Sequence, residues 1–323
     1  MKKILITGAL CQIGSELTIK LRNEYGKDNV IATSIRMRED NYVVNSGPFE
    51  ILDVVDIKSM GNIANKYNVD TIIHLASLLS AVGEQKPLHT WDLNMGGLIN
   101  ALEVSKELNC QFFTPSSIAA FGHNSPKDYT PQDSIQRPST MYGVTKVAGE
   151  LLCDYYFNKF GVDTRGVRFP GLISYMTPPG GGTTDYAVDI YYEALKNKSY
   201  DCFIAKDTKM DMMYMPDALQ AIVDLMESEH EKLVHRNAFN ITAMNFTPEE
   251  ISDEIKKHIP DFEIAYNVDP IRQSIADSWP NSIDPTCAMV EWGFKVNYDL
   301  AKMTDDMLQK LREKGISSEV SLA

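Results

Sequence analysis

Short β-branched runs alternate with longer amphipathic stretches through the first half of the chain. Period-two and short apolar runs predict strands over residues 3–6, 30–32, 49–53, 71–75 and 111–114, while apolar positions at helical spacing predict helices over 12–24, 57–67 and 94–108. A long helix follows over 142–160, with Leu151, Leu152, Tyr155 and Tyr156 on its expected apolar face, and 163–168 returns as a strand. Strands separated by helix-length crossovers predict an α/β fold, a doubly wound parallel sheet of the Rossmann kind.

After Phe169 the pattern changes. Pro170-Gly171 and the run Thr177-Pro178-Pro179-Gly180-Gly181-Gly182-Thr183-Thr184 hold too many breakers for a regular element. Beyond them the sequence predicts a helix over 185–196, a strand-like 212–214 running into a helix over 216–226, and a terminal helix over 300–313. Another helix over 247–257 is opened by Thr247 with Glu250 three residues on, the pattern of a capping box. The expected organisation is a dinucleotide-binding domain over 1–170 with a return segment near 205–240, a smaller C-terminal substrate-binding domain from 171–204 and 241–315, and a frayed tail over 316–323.

Composition narrows the partners. A net charge of −13 over 323 residues repels phosphate, which argues against nucleic acid or an anionic membrane surface. Five cysteines (Cys11, Cys110, Cys153, Cys202, Cys287) are odd in number, scattered and without a C-x-x-C pair, so neither a disulfide framework nor a thiolate cage is expected and a reducing cytoplasmic setting fits. The apolar start Ile4-Leu5-Ile6 breaks at Gly8 and reads as a strand, and no stretch reaches the roughly 18–20 apolar residues of a bilayer span.

Gly8, Cys11, Gln12, Ile13 and Gly14 lie between the first strand and the first helix, where backbone N–H groups and a helix N-terminus can hold a dinucleotide pyrophosphate. A third glycine would be wanted at position 11; the cysteine there predicts weakened binding. At the end of the second strand Ser34 replaces the acidic residue that accepts the adenosine ribose hydroxyl, and Arg36 or Arg38, offset by Glu39 and Asp40, could attract a 2′-phosphate. NAD is the expected cofactor, with NADP left open.

Alcohol oxidation needs a base, and Tyr142 with Lys146 one helical turn on offers a phenol beside a cation that should lower its pKa. Tyr155/Lys159, Tyr192/Lys196 and Tyr298/Lys302 share the spacing; position selects Tyr142/Lys146, at the start of the helix after the fifth strand, with Ser117 at that strand's end where open α/β sheets bind ligands. The histidines (His74, His89, His123, His230, His235, His258) show no metal-ligand spacing, so structural or surface roles and no metal are expected. Met210, Met212, Met213 and Met215 read as core.

Longer stretches carry a resemblance: Val43-Val44-Asn45-Ser46-Gly47-Pro48-Phe49, Trp91-Asp92-Leu93-Asn94-Met95, Pro115-Ser116-Ser117-Ile118-Ala119, Pro138-Ser139-Thr140-Met141-Tyr142-Gly143, Pro170-Gly171-Leu172-Ile173-Ser174, Thr183-Thr184-Asp185-Tyr186-Ala187-Val188-Asp189 and Ala276-Asp277-Ser278-Trp279-Pro280. Over nearly its whole length the chain resembles the extended short-chain dehydrogenase/reductases, and within them the short-chain L-threonine 3-dehydrogenases, relatives of the nucleotide-sugar epimerases. The resemblance implies metal-independent oxidation of the threonine β-hydroxyl to 2-amino-3-oxobutanoate, with Tyr142 as base, Lys146 as its partner and ribose ligand, and Ser117 holding the substrate oxygen. It further implies that Ser80, Thr184, Trp279 and the Gly180, Gly181, Gly182 backbone surround the amino acid, that Asp53, Val54, Leu75, Ala76, Ser77 and Asn94 line the cofactor, and that the protein is a homodimer. A nucleotide-sugar epimerase or dehydratase would use the same triad, and a dinucleotide sensor without catalysis is the alternative that altered positions 11 and 34 leave open.

Overall fold

The first strand, β1 (Ile4–Thr7), is buried along its length and sends alternate side chains to opposite faces. The computed structural model describes residues 1–178, 180 and 182–317. Around β1 it assembles α1 (Gln12–Tyr25), β2 (Val30–Ser34), α2 (Tyr42–Asn45), β3 (Phe49–Ile51), α3 (Ile57–Tyr67), β4 (Thr71–His74), α4 (Ser80–Gln85), α5 (Pro87–Leu108), β5 (Gln111–Phe113), β6 (Ser116–Ser117), α6 (Met141–Phe160) and β7 (Thr164–Arg165). Six of these strands form a parallel sheet in the order β3-β2-β1-β4-β5-β7. β1 pairs with both β2 and β4, so the winding reverses there and a crevice opens at the carboxyl ends of β1 and β4.

Alternation fills both faces. Ile4, Ile6, Val30, Ala32, Ile73 and Phe113 join Leu17 and Leu21 of α1 in one core, while Leu5, Ile31, Ile72 and Phe112 join Met60, Ile63, Leu98, Leu102 and Cys153 in the other. Period-two strands buried on both sides are what a parallel sheet covered by helices requires. The sequence-based face of α6 needs correction: Leu151 and Tyr155 are exposed, and the buried stripe is Thr145, Gly149, Glu150, Cys153 and Tyr156. A buried carboxylate on that stripe hid the true face from a hydrophobicity reading. α5 also begins seven residues before the expected start at 94, with Pro87 in its first turn, where a fixed φ and a missing N–H cost nothing. Leu88 and Trp91 point outward, which spoils the apolar period over that first part.

The expected single strand over 163–168 divides at Gly166. β7 stays beside β5, whereas β8 (Val167–Phe169) joins a second sheet, β12-β8-β6, with β12 (Phe239–Asn240). The later chain adds β9 (Gly171–Ile173), α7 (Tyr186–Lys196), β10 (Ser199–Cys202), β11 (Met210–Tyr214), α8 (Met215–Glu227), β13 (Met244–Phe246), α9 (Pro248–Lys256), β14 (Glu263–Tyr266), α10 (Pro270–Ser278), α11 (Thr286–Trp292) and α12 (Leu300–Glu313). Thr247 and Glu250 do form the reciprocal capping box at α9. α8 lays Ala218, Ile222 and Leu225 on the core beside α1, and a third core gathers Tyr186, Ile190 and Tyr191 of α7 with Tyr214, Phe246, Ile251, Met307 and Leu311. β9, β10, β12, β13, β14, α2, α4, α10 and α11 had no counterpart in the sequence reading. Of the expected tail, only Ile316 and Ser317 belong to the described residues.

Candidate active site

The turn after β1 is built for close approach. Gly8 has φ +70°, and a Cβ there would lie 2.8 Å from the Ala76 backbone nitrogen; a Cβ on Gly14 would lie 2.3 Å from the Gly8 carbonyl oxygen. Only glycine lets β1, the loop and the first turn of α1 pack this tightly. Cys11 fills a place the sequence reading did not give it. It is the N-cap of α1, its sulfur accepting from Gly14 N at 3.3 Å while its own N–H donates to Gly8 O at 3.0 Å. No acidic residue occupies the first turn of α1, so the helix N-terminus keeps its positive character. This cradle fits a dinucleotide pyrophosphate.

A cleft joins Cys11, Gln12 and Ile13 to Leu75, Ser77, Ser80, Ser117, Tyr142, Lys146, Gly182, Thr184 and Trp279. Gly8 and Gly14 lie behind the loop, and Ala76 and Asn94 line a smaller cavity that also borders Lys146. Asn94 uses its side chain as a clamp: it accepts from Leu78 N at 2.8 Å and donates to Leu78 O and Thr145 Oγ1, both at 3.2 Å. Ser34 stands half-buried at the end of β2, Arg36 is exposed beyond it, and exposed Asp53 with buried Val54 follows β3; these four lie along the same sheet edge but outside the cleft. Gly180 does not line the cleft, and Gly181 lies outside the described residues.

Thr140 caps α6 through Gly143 N at 3.1 Å, and the helix starts with Tyr142 facing the turn after β6. Ser117 hydrogen-bonds the Tyr142 phenol and also caps the short turn Ile118–Ala120 through Ala119 N at 3.2 Å. The Lys146 ammonium lies 5.2 Å from the centre of the Tyr142 ring and donates to the Pro115 carbonyl at 2.8 Å. The acidification expected of Tyr142 is not found. Burial pushes Tyr142 up to about 12, opposed by its bond to Ser117, and pushes Lys146 down to about 8, opposed chiefly by the negative field of Glu150. Desolvation disfavours both charged forms here and outweighs the contributions that oppose it.

Glu150, one turn beyond Lys146, was missed by the sequence reading. Its carboxylate pairs with Arg168 at 2.8 Å and accepts from Gln136 at 2.7 Å and from Ser116, all inside the protein. Arg168 continues to Gln132 O at 2.8 Å and Asn240 Oδ1 at 3.1 Å. The i+4 spacing from Lys146 was the available signal, but only the fold reveals that the partner arginine comes from β8. His74, at the end of β4, bonds Thr7 Oγ1 at 2.9 Å, and burial pushes it down to about 3, so it is a neutral structural group. Thr183, also unforeseen, borders the cleft with a buried hydroxyl that has no partner among the described residues.

A doubly wound sheet, a glycine-backed phosphate turn at its switch point and a Ser-Tyr-Lys set at the carboxyl end of β5 define a dinucleotide-dependent oxidoreductase. The chain belongs to the NAD dependent epimerase/dehydratase family, whose profile matches residues 4–242; its cofactor is a nicotinamide dinucleotide. An uncharacterized epimerase/dehydratase of Staphylococcus saprophyticus is 60% identical over 97% of this chain and 98% of its own. The crystal structure of an L-threonine dehydrogenase from Clostridium difficile is 75% identical, covers 98% of this chain and 99% of its own, and superposes with a TM-score of 0.97. A monomeric L-threonine 3-dehydrogenase of metagenomic origin is 44% identical over 96% and 99%, with a TM-score of 0.92.

Proposed function

We propose that the protein oxidises the β-hydroxyl of L-threonine to 2-amino-3-oxobutanoate with NAD as hydride acceptor. The observation that carries this reading is the meeting of Ser117, Tyr142 and Lys146 with Ser80, Thr184 and Trp279 in one cleft beside the phosphate turn. Extensive identity to L-threonine dehydrogenases supports it. When bound, the cofactor supplies the hydride-accepting nicotinamide and its positive charge.

Tyr142 takes the hydroxyl proton, and Ser117 donates to the same substrate oxygen, so the two hydroxyls already bonded to each other bracket the reacting atom. Lys146 holds the ribose and lends its charge to the phenolate, with Glu150 sustaining that charge. Ser80, Thr184, Trp279 and the Gly182 backbone hold the amino-acid end, where a carboxylate needs donors and an ammonium needs acceptors. The Thr183 hydroxyl, without a partner among the described residues, adds a polar group that a bound zwitterion can satisfy.

NAD rather than NADP is the acceptor: Ser34 offers the ribose a hydroxyl partner, and Glu39 and Asp40 offset Arg36 and Arg38. Free thiols at all five cysteines suit a reducing cytoplasm, and no helix among the described residues is long and apolar enough to cross a membrane. The protein works as a homodimer through the outward apolar residues of α5 and α6, Leu151 and Tyr155 among them. NADH formation measured with L-threonine, with sugar nucleotides and without substrate tests the reading. Turnover with threonine alone is expected; turnover only with a sugar nucleotide, or none in any arm, overturns it.

A further inference from the structure

Away from the cleft, α11 carries Cys287 and Glu291 one turn apart, and the loop before β12 brings His235 against them. One ligand atom from each of His235, Cys287 and Glu291 lies within 4.8 Å of the other two. We propose that these three side chains form a binding site for a borderline divalent cation of the zinc type. Imidazole, thiolate and carboxylate together select such an ion over calcium or magnesium, which prefer all-oxygen sets.

The surroundings are organised around these atoms. Glu291 Oε2 accepts from the backbone N–H groups of Val234 at 2.6 Å and His235 at 3.0 Å, which fixes the carboxylate and leaves Oε1 for the ring Nδ1. On the other side of the ring, Nε2 faces Asp133 Oδ2 at 3.8 Å. A carboxylate behind a ligating histidine is the usual device for orienting the ring and fixing its tautomer. His235 is held further by an edge contact with Phe239, whose ring also meets Trp292 of α11.

Ligand atoms around a tetrahedral zinc ion sit about 3.3–3.8 Å apart. The Cys287 sulfur must therefore close in and the His235–Glu291 hydrogen bond must open, both small side-chain movements. Binding moves the ring proton to Nε2, towards Asp133, and releases the thiol proton to solvent. One thiolate and one carboxylate then neutralise the ion, and water takes the fourth position. The ion would tie α11 to the loops at 133 and 235, and none of these residues touches the catalytic cleft.

Cobalt(II) added to the chelator-stripped full-length protein is the probe, because a Co–thiolate bond gives a near-ultraviolet charge-transfer band. One equivalent is expected to produce that band, zinc to displace it, and Cys287→Ser to abolish it and weaken zinc binding by at least about 100-fold, beyond the loss from removing an outer partner alone. Cys11→Ser, which removes the exposed thiol at the phosphate turn, should leave the band intact. Absence of the band in the wild type, its survival in Cys287→Ser, or its loss in Cys11→Ser overturns the proposal.

Discussion

In the proposed mechanism one phenol carries the chemistry, and its environment sets what a substitution should do. Tyr142→Phe keeps the ring that fills the cleft and removes the group that takes the proton, so turnover should fall by at least about 10²–10⁴-fold while cofactor binding, followed by fluorescence titration, stays near wild type. Retained turnover would reassign the base. The second test concerns Lys146, which burial lowers to about 8 and Glu150 holds up. Glu150→Gln removes the negative field, so Lys146 should lose its charge at lower pH and the alkaline side of the kcat/KM profile should move down. The same change strands buried Arg168, which should cost about 3–5 kcal/mol of stability. A destabilised variant with an unmoved pH profile would make Glu150 purely structural. At Ser34, aspartate would accept from the ribose and repel a 2′-phosphate. Ser34→Asp should raise the ratio of kcat/KM for NAD over NADP by about tenfold or more, equivalent to about 1.4 kcal/mol, and an unchanged ratio removes position 34 from cofactor choice.

At the level of elements, α5 and α6 pack on each other and turn apolar residues outward: Leu88, Trp91 and Ile99 on one, Val144, Leu151 and Tyr155 on the other. Spaced by three and eight along α5 and by seven and four along α6, they recur at helical intervals on the outward faces, the pattern expected of an interface. Light scattering should give a dimer for the wild type and a monomer for Leu151→Asp combined with Tyr155→Asp; a monomeric wild type would sink the dimer. The same helix shows where sequence stopped being legible. Strands β1 to β5 and helices α1 and α3 could be read because each carries its own period and is buried by its neighbours in chain order. Leu151 and Tyr155 of α6 misled because an exposed apolar residue has the same letter in the sequence as one facing a core. The phosphate turn was visible from local spacing and the Tyr142/Lys146 pair from its place after the fifth strand, whereas Glu150–Arg168, and the N-cap role of Cys11, depend on which atoms the fold brings together. Short strands such as β9, β12 and β13 have only two or three residues, too few to display a period.

Across the whole molecule, β11 joins two cores: Met210, Met212 and Tyr214 enter the one beneath α7, and Met213 enters the one beneath α1 and α8. Between them Asp211, 1% exposed, accepts from Ile283 N at 2.7 Å, and burial pushes its carboxyl up to about 7. An unfolded aspartate titrates near 3.9. The folded chain therefore holds a proton between roughly pH 4 and 7 that the unfolded chain has released. Stability from this group is complete below the lower value and is lost as pH rises through the upper one. Glu16, half-buried beside Ser174 and also pushed up to about 7, acts in the same direction. Since a net charge of −13 adds its own repulsion at higher pH, the informative quantity is the difference between variant and wild type. Asp211→Asn keeps an acceptor for Ile283 N and abolishes the titration. Its stability relative to wild type, from urea unfolding at pH 5 and pH 8, should rise with pH by up to a few kcal/mol; a difference that stays constant would mean Asp211 ionises as easily in the folded chain as in the unfolded one, and that the joint between the two cores tolerates a charge.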